Sequence, residues 1–275
     1  MRYKSIPLFA ATLLLIYPLF ALAMTNTEAK ELAVSDFKGD VTNLKELEQA
    51  ATEGNAIAQT WLGAYYFWEK NYVTSNAWNL KAAEQGYAPA ENNMGIIYAN
   101  GYGVPKNYVT ANAWYRKAAA HGNADVEYNL GNAYYEGRGV PKDYVKVNQW
   151  YEKAAAQGYA GAEYNLGDDY VKGQGVPKDY AKADYWFEKA AAQGLARAEN
   201  HLGKAYAKGQ GVPQNYAKAK SWYEKAADQG QADAEYNLGV LYYQDQGVPQ
   251  DYAKADYWLQ KAAAQGLARA EYNLV

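Results

Sequence analysis

The residues that could do acid–base or metal chemistry are few, and their spacing does not suit it. The chain has two histidines, His121 and His201, far apart in sequence, whereas a two-histidine metal site on one helix spaces its ligands four residues apart. Asp168 and Asp169 are adjacent carboxylates, but successive residues of a helix point in different directions, so they form no acid–base dyad without a further partner. The sequence therefore predicts no catalytic residue, no metal site and no cofactor, with a hydrolase as the remote alternative.

Composition narrows the classes of function further. The chain has no cysteine, which excludes disulfides, iron–sulfur clusters and thiolate chemistry. Lysine and arginine number 27 against 30 acidic residues, and this near balance argues against nucleic acid, which requires a basic groove. The stretch Gly-Gln-Gly-Val-Pro at 173–177 is not a phosphate loop, because the required Gly-Lys-Ser/Thr is missing. A protein or peptide is the expected partner.

The elements that must position any site come from one motif that recurs every 36 residues. Glycines, prolines and tryptophans all keep this step: Gly95, Gly131, Gly167, Gly203 and Gly239; Pro105, Pro141, Pro177, Pro213 and Pro249; Trp114, Trp150, Trp186, Trp222 and Trp258. A fixed period in this range is typical of a solenoid, in which each repeat buries its apolar face against its neighbours. The sequence therefore predicts an all-α fold of tandem two-helix repeats.

Each repeat carries the signals of two helices. In one first helix, Val126, Leu130 and Tyr134 form a single amphipathic stripe. Gly137 follows where a helix can end in a left-handed residue. Polar residues that can cap the second helix stand two positions after each proline: Asn107, Asp143, Asp179, Asn215 and Asp251.

Packing expectations follow from the same pattern. The tryptophans precede Lys-Ala-Ala on the second helix, which favours a place in the core over a ladder for stacking sugars or bases. Gly131 and its equivalents lie inside the first helix, where we expect a neighbouring helix to approach closely over the tryptophan. The charged residues beside the tryptophans, such as Glu152 and Lys153, are predicted to be solvated.

Residues 1–23 are predicted to be a cleaved secretory signal. Arg2 and Lys4 precede an apolar stretch, and Ala21-Leu22-Ala23 is a suitable cleavage site. The alternative is a permanent membrane anchor. With cleavage after Ala23 the chain is expected to be periplasmic or secreted, with no later membrane span.

The mature chain is predicted to have two parts. Residues 24–54 form a leader and an N-terminal capping helix over 42–54, with Asn43 and Glu46 as a capping box. Residues 55–275 form the solenoid, with repeats at about 55–87, 88–123, 124–159, 160–195, 196–231 and 232–267 and a half repeat at 268–275. That half repeat either serves as a poor cap or contacts a partner or a second copy of the chain. Contact with a second copy would give weak self-association.

Two repeats depart from the pattern. The first lacks the Gly-x-Gly-Val-Pro insert between Tyr66 and Asn71, so a tighter turn is expected there. Asp245 stands where other repeats have the glycine that ends the first helix. Because aspartate tolerates the left-handed conformation better than most residues, the turn is expected to persist.

The string Leu-Gly-x-x-Tyr-x-x-Gly-x-Gly-Val-Pro-x-Asp-Tyr-x-Lys-Ala-x-x-Trp-x-x-Lys-Ala-Ala-x-Gln-Gly, best matched at 167–194, closely resembles the Sel1-like repeat, a relative of the tetratricopeptide repeat. The resemblance covers about 55–275. It implies a right-handed α-α superhelix whose first helices line the concave side, and an adaptor that holds proteins together. Some exported members are stapled by disulfides, and the lack of cysteine puts any property of that branch in doubt here.

A partner-binding track is predicted along the first helices. Asparagine can both donate to and accept from a peptide backbone, and tyrosine adds rigid apolar area with a polar tip. The predicted binding residues are Asn93, Asn129, Asn165, His201, Asn237, Tyr128, Tyr164 and Tyr236. The alternative is structural: the asparagines bond a neighbouring helix and the tyrosines pack between repeats.

The sequence thus predicts an exported scaffold that binds a protein or peptide on its concave face, in envelope assembly or regulation. A secreted, virulence-type factor that engages host-cell proteins is the alternative, and only localisation separates the two.

Overall fold

The computed structural model describes residues 41–245 and 247–273. The predicted signal peptide and most of the predicted leader lie outside these residues. Within them every regular element is a helix and no strand occurs. The predicted all-α fold of tandem helix pairs is confirmed.

The helices follow one another along the described part of the chain: α1 Val41–Thr52, α2 Ala56–Trp68, α3 Tyr72–Glu84, α4 Ala88–Asn100, α5 Tyr108–Ala119, α6 Ala124–Glu136, α7 Tyr144–Ala156, α8 Ala160–Lys172, α9 Tyr180–Ala192, α10 Ala196–Lys208, α11 Tyr216–Asp228, α12 Ala232–Tyr243, α13 Tyr252–Ala264 and α14 Ala268–Tyr272. The chain divides into two compact units, unit 1 over 1–142 with α1 to α6 and unit 2 over 143–275 with α7 to α14. Within each unit a helix packs mainly on its neighbours in sequence, as expected for stacked repeats.

The predicted signals at the helix ends are confirmed. Before each second helix, the capping side chain accepts a hydrogen bond of 3.0 to 3.1 Å from the backbone N–H three residues later, at Asn107, Asp143, Asp179, Asn215 and Asp251. Four first helices end at a left-handed glycine with φ between 66° and 78°: Gly101, Gly137, Gly173 and Gly209.

Replacing the cap Asn215 by alanine is expected to destabilise unit 2 by about 1 kcal/mol, the usual loss for a helix N-cap. The physical reason is that the Lys218 N–H, now 3.0 Å from the Asn215 amide oxygen, loses its acceptor. Chemical denaturation measures the change, and Asn215→Asp, which keeps an acceptor, is the control. An alanine variant as stable as the wild type would show that this cap is redundant.

The two irregular turns form as predicted. In the shortened first repeat, α2 and α3 are joined through Lys70 in the left-handed conformation, with φ 59°. Asp245 also takes that conformation, with φ 53°, and its carboxylate accepts a 3.1 Å hydrogen bond from the Gln250 N–H. The aspartate therefore replaces the glycine and also holds the turn that follows.

Two packing predictions need correction. Helix α1 begins at Val41, so Asn43 lies inside the helix and is not its N-cap. In the five first helices for which the contact is described, the glycine does not face the tryptophan; it faces the residue that follows the tryptophan in sequence. A Cβ added to Gly167 would lie 2.6 Å from the Phe187 ring, and one added to Gly239 would lie 2.7 Å from Leu259. The close approach was therefore predicted correctly, and its partner was not.

The tryptophans lie at the edge of the core, half-buried. Trp114, for example, packs with one side against a cluster that contains Met94 and Ile97. A lysine three residues later covers the ring, with Nζ 4.1 to 5.3 Å from its centroid, in the pairs Lys81–Trp78, Lys117–Trp114, Lys153–Trp150, Lys189–Trp186, Lys225–Trp222 and Lys261–Trp258. These lysines are therefore not merely solvated: each makes a cation–π contact that shields an indole from water.

Candidate functional site

The first helices of unit 2 present a polar face that contains several of the predicted binding residues. On α8 the positions i, i+4 and i+8, and on α10 the positions i, i+4, i+7 and i+11, fall on one side of a helix. We call this surface the first-helix face and define it by Tyr164, Asp168, Lys172, Arg197, His201, Lys204, Lys208, Asp233, Tyr236 and Arg269. Their charges act on one another, which places them together in space.

His201 lies in an aromatic cluster on this face. Its Nε2 is 3.3 Å from the Tyr164 hydroxyl, and its ring centroid is 4.7 Å from that of Phe187. Burial, assisted by the positive charge of Lys204, lowers the pKa of His201 to about 4. The ring is therefore neutral at pH 7 and packs between repeats.

Side-chain hydrogen bonds join successive first helices of unit 2. The Asn237 amide donates to Asn200 Oδ1 at 2.9 Å, and the Asn273 amide donates to the Tyr236 hydroxyl at the same distance. The Tyr164–His201 contact spans the same 37 residues. These contacts are of the kind that the structural alternative describes, and the binding role of Tyr164, His201, Tyr236 and Asn237 stays a prediction that has to use the atoms left exposed.

In unit 1 the first of the predicted binding residues, Asn93 on α4, is buried. Asn93 is 4% exposed and donates a 2.9 Å hydrogen bond to Asn79, so its side chain does not reach the surface. Tyr128 and Asn129 on α6 are half-buried, as is Asn165 on α8 of unit 2. The binding role of these three residues stays a prediction.

Both carboxylates of the first-helix face are already paired. Asp168 accepts from Lys172, one turn further along α8. Asp233 on α12 accepts from the Arg269 guanidinium, which also lies over the Tyr236 ring, 4.4 Å from its centroid. Both carboxylates of the face are thus neutralised by a cation of the same face.

Arg197 and Lys204 of α10 have no such carboxylate. Arg197 is exposed and lies over the Tyr164 ring, 5.1 Å from its centroid. The Lys204 side chain is half-buried, and no carboxylate of the described residues lies within ion-pair distance of its ammonium group. Burial, with Arg269 and Lys208 adding repulsion against the attraction of Asp233, lowers the pKa of Lys204.

Sequence reasoning missed a hydrogen bond inside each of three repeats of unit 2, from the end of the second helix to the first helix. The amides of Gln193, Gln229 and Gln265 donate to the buried carboxylates of Glu163, Glu199 and Glu235, each at 2.8 Å. Burial raises the pKa of Glu163 and Glu199, and the glutamine bond opposes this rise. The signal was available, because glutamate and glutamine recur 30 residues apart in three repeats.

A second kind of hydrogen bond links three of the second helices to the turn of the next repeat. Asn76, Asn112 and Asn148 donate to the backbone carbonyls of Tyr102, Arg138 and Gln174, at 2.8, 2.6 and 2.7 Å. Asp184 occupies this position in the following repeat, is 6% exposed, and has one carboxyl oxygen without a partner among the described residues. Burial, and then Glu188, raise its pKa to about 7.

Asp169 is a second buried carboxyl in the same repeat. It is 3% exposed and stands where other repeats have Ile97, Ala205 or Leu241. Burial, with the negative charge of Asp168 added, raises its pKa to about 7. One of its oxygens also lacks a hydrogen-bond partner among residues 41–245 and 247–273.

The described residues contain neither a metal-ion cluster nor a membrane-spanning helix. No group of three or more histidine, cysteine or acidic side chains there is close enough to hold a metal ion. None of the helices in the same part of the chain has the length and apolar character needed to cross a membrane.

The repeats match a known protein family. The model of the Sel1 repeat matches residues 56–87, 88–123, 124–159, 160–195, 196–231 and 232–267. A crystal structure of a protective antigen from uropathogenic Escherichia coli strains, with an SLR fold, is 40% identical, with a TM-score of 0.81 over 84% of this chain and 50% of that one. The chain therefore spans about half the length of that antigen.

A Sel1 repeat protein from Oxalobacter formigenes is 34% identical, with a TM-score of 0.72 over 78% of this chain and 86% of that one. Among curated proteins, none matches the sequence. The six matched repeats cover well over half of the chain, and proteins built from them generally mediate protein–protein interaction. The chain belongs to the Sel1-repeat family.

Proposed function

We propose that this chain is an exported scaffold that binds a protein or peptide on the first-helix face of unit 2, in assembly or regulation of the cell envelope. The observation that carries the proposal is that this face combines the half-buried rings of Tyr164 and Tyr236 with two cations, Arg197 and Lys204, that have no carboxylate within ion-pair distance among the described residues. Aromatic residues and arginine are the groups enriched where proteins bind one another. Export is supported by the sequence of residues 1–23.

The binding proposal is tested by selecting peptides from a random display library against the folded chain, then mapping the winners by amide NMR shifts. Selected peptides are expected to bind with micromolar affinity or better and to shift amides of α8, α10 and α12. Shifts confined to the second helices α9, α11 and α13 would contradict the proposed face. Failure to select any peptide would contradict peptide binding itself.

A second candidate is a secreted factor that engages host-cell proteins. It is favoured by one observation: the relative that is 40% identical is a protective antigen of uropathogenic strains. Cell fractionation separates the two, because an envelope scaffold is expected in the periplasm, whereas a secreted factor is expected in the medium.

A further inference from the structure

We propose that Lys204 is a carboxylate-binding site, and that the partner of the first-helix face is an acidic, extended peptide segment. This rests on the proposed function and adds the chemistry of the partner. Lys204 lies near the middle of the face, on α10, with α8 on one side and α12 on the other. Its ammonium group is the one cation of this face that is half-buried without an opposite charge or an aromatic ring against it, among the residues that the structure describes.

The charges around Lys204 explain why it stays unpaired. On α8, Asp168 is bonded to Lys172. On α12, Asp233 is bonded to Arg269 of α14. On α10 itself, Lys208 adds positive charge near Lys204, and the adjacent ring of His201 is neutral. Every carboxylate of the face is therefore taken, and the surplus charge is positive.

An ammonium group in this position is unfavourable in the free protein. It has lost part of its hydration, and the attraction of Asp233, which is already paired with Arg269, is opposed by repulsion from Arg269 and Lys208. A bound carboxylate would supply the missing charge and a charge-assisted hydrogen bond, which is stronger than a bond between neutral groups. The gain would be local, since the whole chain carries a formal charge of −3 and does not attract acidic molecules as a body.

The second unpaired cation, Arg197, sets the spacing expected between two carboxylates of the ligand. Arg197 lies seven residues before Lys204 on α10, which is ~10 Å along the helix axis. An extended chain covers that distance in about three residues. Two carboxylates spaced in this way on one peptide can reach both cations, whereas a single inorganic anion can reach only one.

The test uses fluorescein-labelled hexaglutamate as the acidic probe and hexaglutamine as the neutral one, with binding to the full chain followed by anisotropy. Hexaglutamate is expected to bind, and Lys204→Gln to weaken it about tenfold, as for the loss of a hydrogen bond to a charged group. The matched control is Lys182→Gln, which removes an exposed lysine from α9 and is expected to leave the affinity within about twofold, as for a solvent-exposed charge.

The outcomes separate this inference from the function on which it rests. Equal losses in the two variants, or equal binding of hexaglutamine, would overturn the Lys204 site. Displacement of the probe by inorganic phosphate at the same concentration would also overturn it, because the site would then be one for small anions. After any of these three outcomes, library peptides that still shift the amides of the first helices would leave the proposed function standing. Lys204→Gln is expected to melt no lower than the wild type, which guards against misfolding.

Discussion

Replacing Asp184 by asparagine should stabilise the protein at pH 8, by about 2 kcal/mol, and change little at pH 4. Asn148 shows the reason, since its amide donates to the Gln174 carbonyl at 2.7 Å, with the amide nitrogen packed against Gly175. The Asp184 carboxyl lies in the same way against Gly211. A carboxylate cannot donate to a carbonyl, but a protonated carboxyl or an amide can.

The direction of the pH dependence follows from the raised pKa of Asp184, which is about 7 in the folded chain and near 3.8 when unfolded. The folded state binds this proton more tightly than the unfolded state does. The stability that protonated Asp184 contributes is therefore fully present below about pH 4 and is lost as the pH rises to about 7. A pKa difference of one corresponds to about 1.4 kcal/mol, so the expected 2 kcal/mol is about half of what the full difference between 3.8 and about 7 would give.

Thermal unfolding at pH 4 and pH 8 measures this effect. Asp256→Asn is the matched control, because Asp256 has the same position in its repeat but is exposed, and it should leave the pH dependence unchanged. Part of the dependence should survive in Asp184→Asn, since Asp169 also has a pKa raised to about 7. Adding Asp169→Ala should remove the remaining pH dependence; alanine is chosen because Ala205 has this position in the next repeat. An Asp184→Asn variant that is less stable at both pH values would contradict the account.

The second large effect is expected for Gly167→Ala, which should destabilise unit 2 by about 2 kcal/mol. On an exposed helix this change would stabilise by about 1 kcal/mol. Here the new methyl group would lie 2.6 Å from the ring of Phe187, which is itself 1% exposed and has no room to retreat. Overpacking of this kind typically costs 1 to 3 kcal/mol, and the ring also supports His201.

A size exchange makes the Gly167 prediction specific. Phe187→Ala alone should be destabilising, because it opens a cavity. The double variant Gly167→Ala with Phe187→Ala should be no less stable than Phe187→Ala alone, since the clash has gone and the alanine favours the helix. Urea denaturation of the four proteins gives the coupling energy. Additive losses would show that the glycine is needed for some other reason.

The helix ends could be predicted from sequence because single residues decide them. Gly137, Pro141 and Asp143 each act on the backbone within a few residues, so their spacing is sufficient. Even the exception at Asp245 could be foreseen, because left-handed backbone is a local property.

Contacts between helices could not be predicted with the same certainty. Which residue meets Gly167 depends on how two helices cross, and a periodicity does not give that angle. The tyrosine and asparagine positions were ambiguous for the same reason: both a binding role and a bond across repeats need a polar side chain on that stripe. Lys204 was missed because the carboxylate nearest to it in charge effect, Asp233, is paired with Arg269, which lies 36 residues further along the chain.

The bonds from one first helix to the next have a consequence for how such an array can grow. Residues 179–202 and 251–274 differ at four positions, Phe187/Leu259, Glu188/Gln260, Asn200/Tyr272 and His201/Asn273. Three of these belong to the contacts Tyr164–His201–Phe187, Asn200–Asn237 and Tyr236–Asn273. The segment 179–202 holds both sides of the Phe187–His201 contact, but only one side of the contacts that His201 and Asn200 make with Tyr164 and Asn237. A duplicated segment therefore brings unmatched residues to its new neighbours, and growth of the array by duplication requires those residues to change together with the residues they meet.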